Sequence, residues 1–373
     1  MGFKWYLQGL IIILYCLAKV QALLQAKIKI FLSRKGSIFS NLCSMQQAGT
    51  INWGIIGCGA VTEVKSGPAF NKVPHSALAA VMRRNAEAAA DYAQRHGVPA
   101  WYTDAAHLIA DASVNAVYIA TPPDSHLPYA QMALAAGKPV YVEKPMVLNR
   151  AEAEQMEKLA KAHADCIMVA HYRRWWPLFV QVKQLLDEGA IGQVRHVHLM
   201  CTRKLPDAAE LQKPGVQWRL NPQVSGGGLF HDLAPHQLDL LLYWFGNVHS
   251  VKGCAYNHGG AYAADDTVTG SMVFESGVRV HGFWHFAAPA AAQEDYCLIE
   301  GEAGTLRCSM FWDKPLVLER QGQQESFYHP PPQHNQIYLI EQVVRFLRGE
   351  APNPCPVNEA VKGIVIMDAL CNR

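Results

Sequence analysis

The chain has 373 residues, half of them hydrophobic and 17% charged, with 33 basic against 31 acidic side chains; this is globular composition, at a length that fits two domains. The near-neutral total hides an asymmetry: residues 1–50 contain Lys4, Lys19, Lys27, Lys29, Arg34 and Lys35 and no acid, the first being Glu63. Taking those 6 from 33 leaves 27 basic against 31 acidic residues, a net of −4, which argues against a nucleic-acid partner, since such proteins carry their positive footprint on the folded domain.

Trp5 to Ala18 is an apolar run behind Lys4, too short for a confident spanning helix. Three readings stay open. The layout resembles a signal peptide with a small-residue site at Val20-Gln21-Ala22. It also suits a membrane anchor within residues 1–24, followed by a basic stretch. In the third reading Met45 is the true start of a cytoplasmic protein; this one is favoured, because Met45 lies just before the first strand. Ten cysteines are scattered with no Cys-x-x-Cys pair, which is neither a disulfide framework nor a zinc pattern. A reducing compartment is expected, and no metal site.

From Ile51 short apolar runs alternate with helical stretches. Strands are expected at 51–56, 77–82, 116–120, 140–142 and 167–170, and helices at 60–71, 85–96, 125–136 and 150–163. Asp104 reads as the N-cap of a further short helix. This alternation indicates a doubly wound parallel sheet, a Rossmann domain over 51–171. Beyond Trp176 the rhythm changes. A helix at 178–188, a strand at 194–201 and a long helix at 229–245 precede consecutive strands at 248–256, 266–274, 278–286, 296–300 and 305–308. A late helix falls at 336–348. Residues 172–373 are thus expected to form an α+β domain with a large open, mostly antiparallel sheet. The division is completed by the extension 1–50.

Gly57-Cys58-Gly59-Ala60-Val61-Thr62 follows the first strand and opens a helix. Glycines allow the backbone to turn tightly and approach a pyrophosphate at a helix N-terminus. Thr62 stands where the fingerprint has Gly or Ala, which puts close helix–strand packing in doubt. The second strand ends in Met82-Arg83-Arg84-Asn85, with no acid to take a ribose 2′-hydroxyl. A guanidinium there suits a 2′-phosphate, so NADP is expected over NAD. The alternative is a pair of solvated surface arginines.

Three further segments follow in order: Ala120-Thr121-Pro122-Pro123-Asp124-Ser125-His126, then Glu143-Lys144-Pro145-Met146, then Gly226-Gly227-Gly228 leading into Asp232 and His236. With these the chain resembles the glucose–fructose oxidoreductase / inositol dehydrogenase / MocA family of NAD(P)-dependent oxidoreductases, from Ile51 nearly to the end. The resemblance implies hydride transfer between a nicotinamide and a sugar, polyol or related carbonyl compound. It also implies a homo-dimer or homo-tetramer through the second sheet. It gives Lys144 as the active-site lysine and Asp232 and His236 as the acid and the acid/base histidine. Thr121, Pro122, His126 and Glu143 are implied to line the cofactor groove with Gly57, Gly59, Ala60 and Val61.

The residue types suit the chemistry. Oxidation of a hydroxyl needs a base and reduction of a carbonyl needs an acid; a histidine serves both. A lysine ammonium stabilises charge on the substrate oxygen. Asp232 and His236, four apart, share a helix face, so the acid is expected to orient the imidazole or to bind substrate hydroxyls. Arg174, Trp218 and Arg219 are weaker substrate-binding candidates, and His231 is read as structural. The competing class is an NAD(P)-binding sensor without turnover, which has no need of Lys144, Asp232 and His236 together.

Overall fold

The computed structural model describes residues 49–372; the apolar run and the basic stretch of the first 48 positions lie outside them. Six parallel strands form the first sheet: β1 (Ile51–Ile56), β2 (Ser76–Met82), β3 (Ala100–Tyr102), β4 (Ala116–Ile119), β5 (Val140–Val142) and β6 (Ile167–Val169). Their spatial order is β3-β2-β1-β4-β5-β6, the doubly wound order that reverses between β1 and β4 and opens a crevice there at the strand carboxyl ends. Both faces are covered, so the strands read as continuous apolar runs. The connecting helices are α1 (Ala60–Val64), α2 (Ala86–His96), α3 (Ala105–Ala110), α4 (His126–Ala135) and α5 (Arg150–Ala162). Local chemistry sets their ends. Asn85 and Asn149 cap α2 and α5 through their side chains, Asp104 caps α3, and Gly97 closes α2 in the left-handed conformation.

After a single 3-10 turn at Tyr172–Trp175 and helix α6 (Pro177–Asp187), the chain enters the second sheet. It contains β7 (Val194–Lys204), β8 (Val248–Tyr256), β9 (Thr267–Phe274), β10 (Arg279–Ala288), β11 (Glu294–Gly301), β12 (Gly304–Cys308), β13 (Leu316–Arg320) and β14 (Gln323–Phe327). The order is β14-β13-β12-β11-β7-β10-β9-β8, antiparallel except where β10 lies parallel to β7. One face is buried through Val197, Leu199, Val280, Trp284 and Ile299, while Met200, Phe283 and Leu298 point to the half-exposed side.

The segment after β7, read from sequence as a loop, holds three short helices, α7 (Ala208–Leu211), α8 (Pro214–Leu220) and α9 (Pro222–Ser225), each opened by a proline or an Asp cap. The long helix α10 (Gly228–Phe245) follows and is buried over most of its surface. Helix α11 (Ile337–Leu347) returns to the first sheet, where Leu339, Ile340 and Val343 join Trp53, Phe70 and Tyr141 in one core. The last helix, α12 (Val357–Leu370), packs against α5 and α10. The two sheets are therefore tied together on either side of the crevice.

Candidate active site

The turn after β1 is built by Gly57, at φ +95°, a conformation that favours glycine. A Cβ there would stand 2.7 Å from the Thr121 methyl, so glycine also allows the two loops to meet. Thr62, the doubtful fingerprint position, is fully buried without disturbing the packing. Its hydroxyl donates to the Gly59 carbonyl at 2.9 Å, and its own carbonyl accepts the Tyr92 hydroxyl at 2.8 Å. Back-bonding of this kind hides the extra polar atom within the turn.

A cleft of about 1140 Å³ runs from this turn to α10. Gly57, Gly59, Ala60, Val61, Arg83, Arg84, Thr121 and Pro122 line one part, and Glu143, Lys144, Trp218, Arg219, Asp232 and His236 line the other. A Cβ on Gly59 would find nothing closer than a carbonyl oxygen at 3.9 Å, and no side chain caps α1. The turn thus offers bare backbone and a positive helix end, a fit for the pyrophosphate of a dinucleotide. Arg83 and Arg84 are exposed beside it at the end of β2.

At the other end Lys144 is fixed by α10. Its ammonium donates to the Asp232 carbonyl and to Asp232 Oδ1, both at 2.8 Å. Arg219, stacked on Trp218, donates to Asp232 Oδ2 at 2.9 Å. Burial alone would raise the Asp232 carboxyl, but Lys144 and Arg219 outweigh it and hold the group at about 2. Asp232 and His236 do share a face, yet the carboxylate is committed to the two cations. The expectation that Asp232 orients His236 is corrected: Asp232 places Lys144. Glu143 is likewise occupied, by the Tyr118 hydroxyl and the Gln336 amide from the start of α11.

His236 is 4% exposed, edge-on to Tyr172 at 4.9 Å, and its Nδ1 has no hydrogen-bond partner among the described residues. Burial, reinforced by the charges of Lys144 and Arg173, pushes its pKa well below the ordinary value of 6.5. The imidazole is neutral at pH 7.

Two expected site residues do not reach the cleft. His126 is fully buried, with Nε2 at 2.8 Å from the Thr121 carbonyl and Nδ1 at 3.1 Å from the Met146 carbonyl. It braces the Thr-Pro-Pro loop against the Glu-Lys-Pro loop instead of lining the groove. Arg174 points away, into a bidentate pair with Asp239 at 2.7 and 2.8 Å. Its neighbour Arg173 lines the cleft in its place, because adjacent residues of the 3-10 turn project in different directions. Sequence reading also missed Phe311, Trp312 and Lys314, which reach the cleft from the loop after β12, and Gln336. None sits in a motif, and only the tertiary fold brings them in. His231, read as structural, is buried with Nδ1 at 3.1 Å from the Gly227 carbonyl.

Three buried histidines have a consequence for stability. Burial is the largest cause lowering the pKa of His126, His171 and His236. Below pH 6.5 the unfolded chain binds protons that the folded chain refuses. Stability must then fall with pH, by up to about 1.4 kcal/mol per unit per histidine. Thermal melts are expected to shift steadily downward between about pH 7 and pH 5; a flat melting temperature across that window would contradict the buried, neutral histidines.

Comparison with known proteins places this geometry. Residues 51–171 match the model of an oxidoreductase family with an NAD-binding Rossmann fold, and residues 179–307 match the GFO/IDH/MocA C-terminal domain. Oxidoreductase P35 of Formosa agariphila is 44% identical over 86% of this chain and 98% of its own length. Trans-1,2-dihydrobenzene-1,2-diol dehydrogenase of Mus musculus is 28% identical over 76% of this chain and 80% of its own. A solved oxidoreductase of Thermotoga maritima superposes with a TM-score of 0.76 at 22% identity, over 86% of this chain and 95% of that one. The chain belongs to the Gfo/Idh/MocA family of NAD(P)-binding oxidoreductases.

Proposed function

We propose that this chain carries out reversible hydride transfer between NADP and a sugar, polyol or related small hydroxy or carbonyl compound. The observation that carries the reading is the pairing of a neutral, buried His236 with an ammonium, Lys144, in the cleft that begins at the glycine turn. A bound nicotinamide supplies the redox chemistry. Gly57, Gly59, Ala60 and Val61 would hold the pyrophosphate, and Glu143 and Lys144 the nicotinamide end. In the oxidising direction His236 takes the proton of the substrate hydroxyl as the carbonyl forms. In the reducing direction it returns that proton to the alkoxide. Lys144, kept in place by Asp232, stabilises negative charge on the same oxygen. A panel of sugars and polyols followed by reduced-nicotinamide absorbance tests the reading; absence of turnover in both directions across the panel would remove it.

The preference for NADP rests on Arg83 and Arg84, two exposed guanidinium groups at the end of β2 with no acid in the strand terminus. Charge-assisted bonds to a 2′-phosphate are each worth about 1.5–3 kcal/mol. The Arg83→Ala, Arg84→Ala double variant is expected to bind NADP at least about tenfold more weakly while its NAD affinity stays near wild type. Fluorescence titration with both cofactors checks this. Tighter binding of NAD by the wild type would refute the assignment.

A further inference from the structure

Arg173 is a buried cation without a carboxylate of its own. It is 7% exposed, lines the cleft, and its Nε has no hydrogen-bond partner among the described residues. Next to it in the chain Arg174 has a carboxylate of its own, Asp239, at 2.7 Å. Arg173 instead lies against rings: 4.5 Å from Trp176, 4.8 Å from Phe311 and 5.7 Å from Tyr172. Arg173 lies in the field of Asp295, with which it forms no ion pair among the described residues. The Ser309 hydroxyl and the N–H groups of Phe311 and Trp312 all donate to Asp295 Oδ2, while its buried Oδ1 has no hydrogen-bond partner among the described residues. Asp295 offsets the charge only at a distance, and a buried guanidinium with an unused N–H donor and no ion pair is costly; an anion in the cleft would satisfy it.

The surroundings favour one kind of anion. Tyr172 and Phe311 touch both Arg173 and His236, which places the guanidinium beside the reacting group. Phe311 and Trp312 carry Arg203 at 5.3 and 5.2 Å, and Lys314 stands 4.7 Å over Trp312. Of the acids here Asp232 is neutralised by Lys144 and Arg219, and Asp313, which accepts the Tyr328 hydroxyl at 3.0 Å, faces Arg173, Arg203 and Lys314 as the smaller charge. Aromatic faces suit the apolar faces of a sugar ring, and cations in excess of free acids suit a negative charge on it. A single planar guanidinium matches the two oxygens of a carboxylate one to one.

We propose that Arg173 binds the carboxylate of a sugar acid, a hydroxy acid of the uronate type whose reacting hydroxyl lies at His236. The proposal rests on the oxidoreductase reading above and narrows its substrate class. In the oxidising direction the hydroxyl proton passes to His236 and the carbon gives up its hydride to NADP, so the product is a keto acid with the carboxylate unchanged.

The test is calorimetric binding of D-glucuronate and D-galacturonate to the full chain, each against its parent hexose and its methyl ester. The uronates are expected to bind at least about tenfold tighter than either neutral form. Arg173→Gln is expected to bring the uronate affinity down to that of the hexose, and Arg173→Lys to restore part of it; thermal melting reports whether each variant folds. Wild-type protein on which no uronate outbinds its hexose and ester overturns the proposal whether or not the variants fold, as does a folded Arg173→Gln protein that keeps the preference. Uronate-selective binding without turnover of any sugar or polyol of the panel would sink the oxidoreductase reading and leave the carboxylate site at Arg173 standing. Turnover of hexose and uronate with equal kcat/KM would do the reverse.

Discussion

Replacing His236 or Lys144 by alanine is expected to lower turnover by at least about a hundredfold, the scale on which a positioned proton donor or acceptor acts. The two losses differ in kind. Without His236 the hydroxyl proton loses its acceptor, and the acids next to it are engaged, Asp232 by Lys144 and Arg219 and Glu143 by Tyr118 and Gln336. Turnover by His236→Ala should then rise with pH as solvent takes over the proton. The wild type keeps a neutral imidazole well below pH 6.5, because burial and the neighbouring cations disfavour its charged form. Without Lys144 the base remains, but charge on the substrate oxygen loses its partner. Asp232 also loses one of its two cations, which leaves its carboxylate partly uncompensated beside the reaction. Steady-state kinetics on both variants decides the matter, and wild-type-like rates in both would falsify the assignment.

Five strands of the first sheet were legible because their signals are local; β3, Ala100–Tyr102, was missed, being three residues at the sheet edge with none of them fully buried. A buried parallel strand is an apolar run, the helices after α1 have a side-chain cap or a closing glycine, and Gly57 to Val61 sit where β1 ends. Sequence reading lost precision where the signal was weak or non-local. Strands β13 and β14 went unseen because β14, Gln323–Phe327, is polar and exposed along nearly its whole length, as an edge strand can be. Helix α12 showed itself only as an apolar run, since it is covered from several sides and has little polar face. In the site, the motif residues that line the cleft through backbone or short loops, such as Thr121 and Lys144, were found. Those whose role depends on the direction of a side chain were not. His126 has the right place in its motif and turns inward to two carbonyls. Asp232 has the right helical spacing to His236 and turns to Lys144 and Arg219. Phe311, Trp312 and Gln336 come from distant stretches of chain, and no local pattern announces them.

Arg174 shows how far that directional question matters, because the resemblance makes it a substrate ligand and the structure makes it a pillar. It is 8% exposed and Asp239, on the buried side of α10, is 3% exposed. Two bonds at 2.7 and 2.8 Å join the 3-10 turn after β6 to that helix, and so join the first sheet to the second. Burial opposes the charge on Arg174, but Asp239 more than restores it and its pKa ends above the ordinary value. Removal of one partner of such a pair leaves the other charge buried and unpaired, at a cost of about 3–5 kcal/mol. Arg174→Ala is therefore expected to lose that much unfolding free energy in urea. Arg174→Met with Asp239→Leu, which removes both charges and keeps the volume apolar, should recover most of it. At a temperature where the single variant stays folded its KM should remain near wild type, because neither Arg174 nor Asp239 borders the cleft. A large rise in KM with little loss of stability would restore Arg174 to the substrate site. The opposite outcome would show that of two adjacent arginines one holds the domains together and only the other, Arg173, faces the ligand.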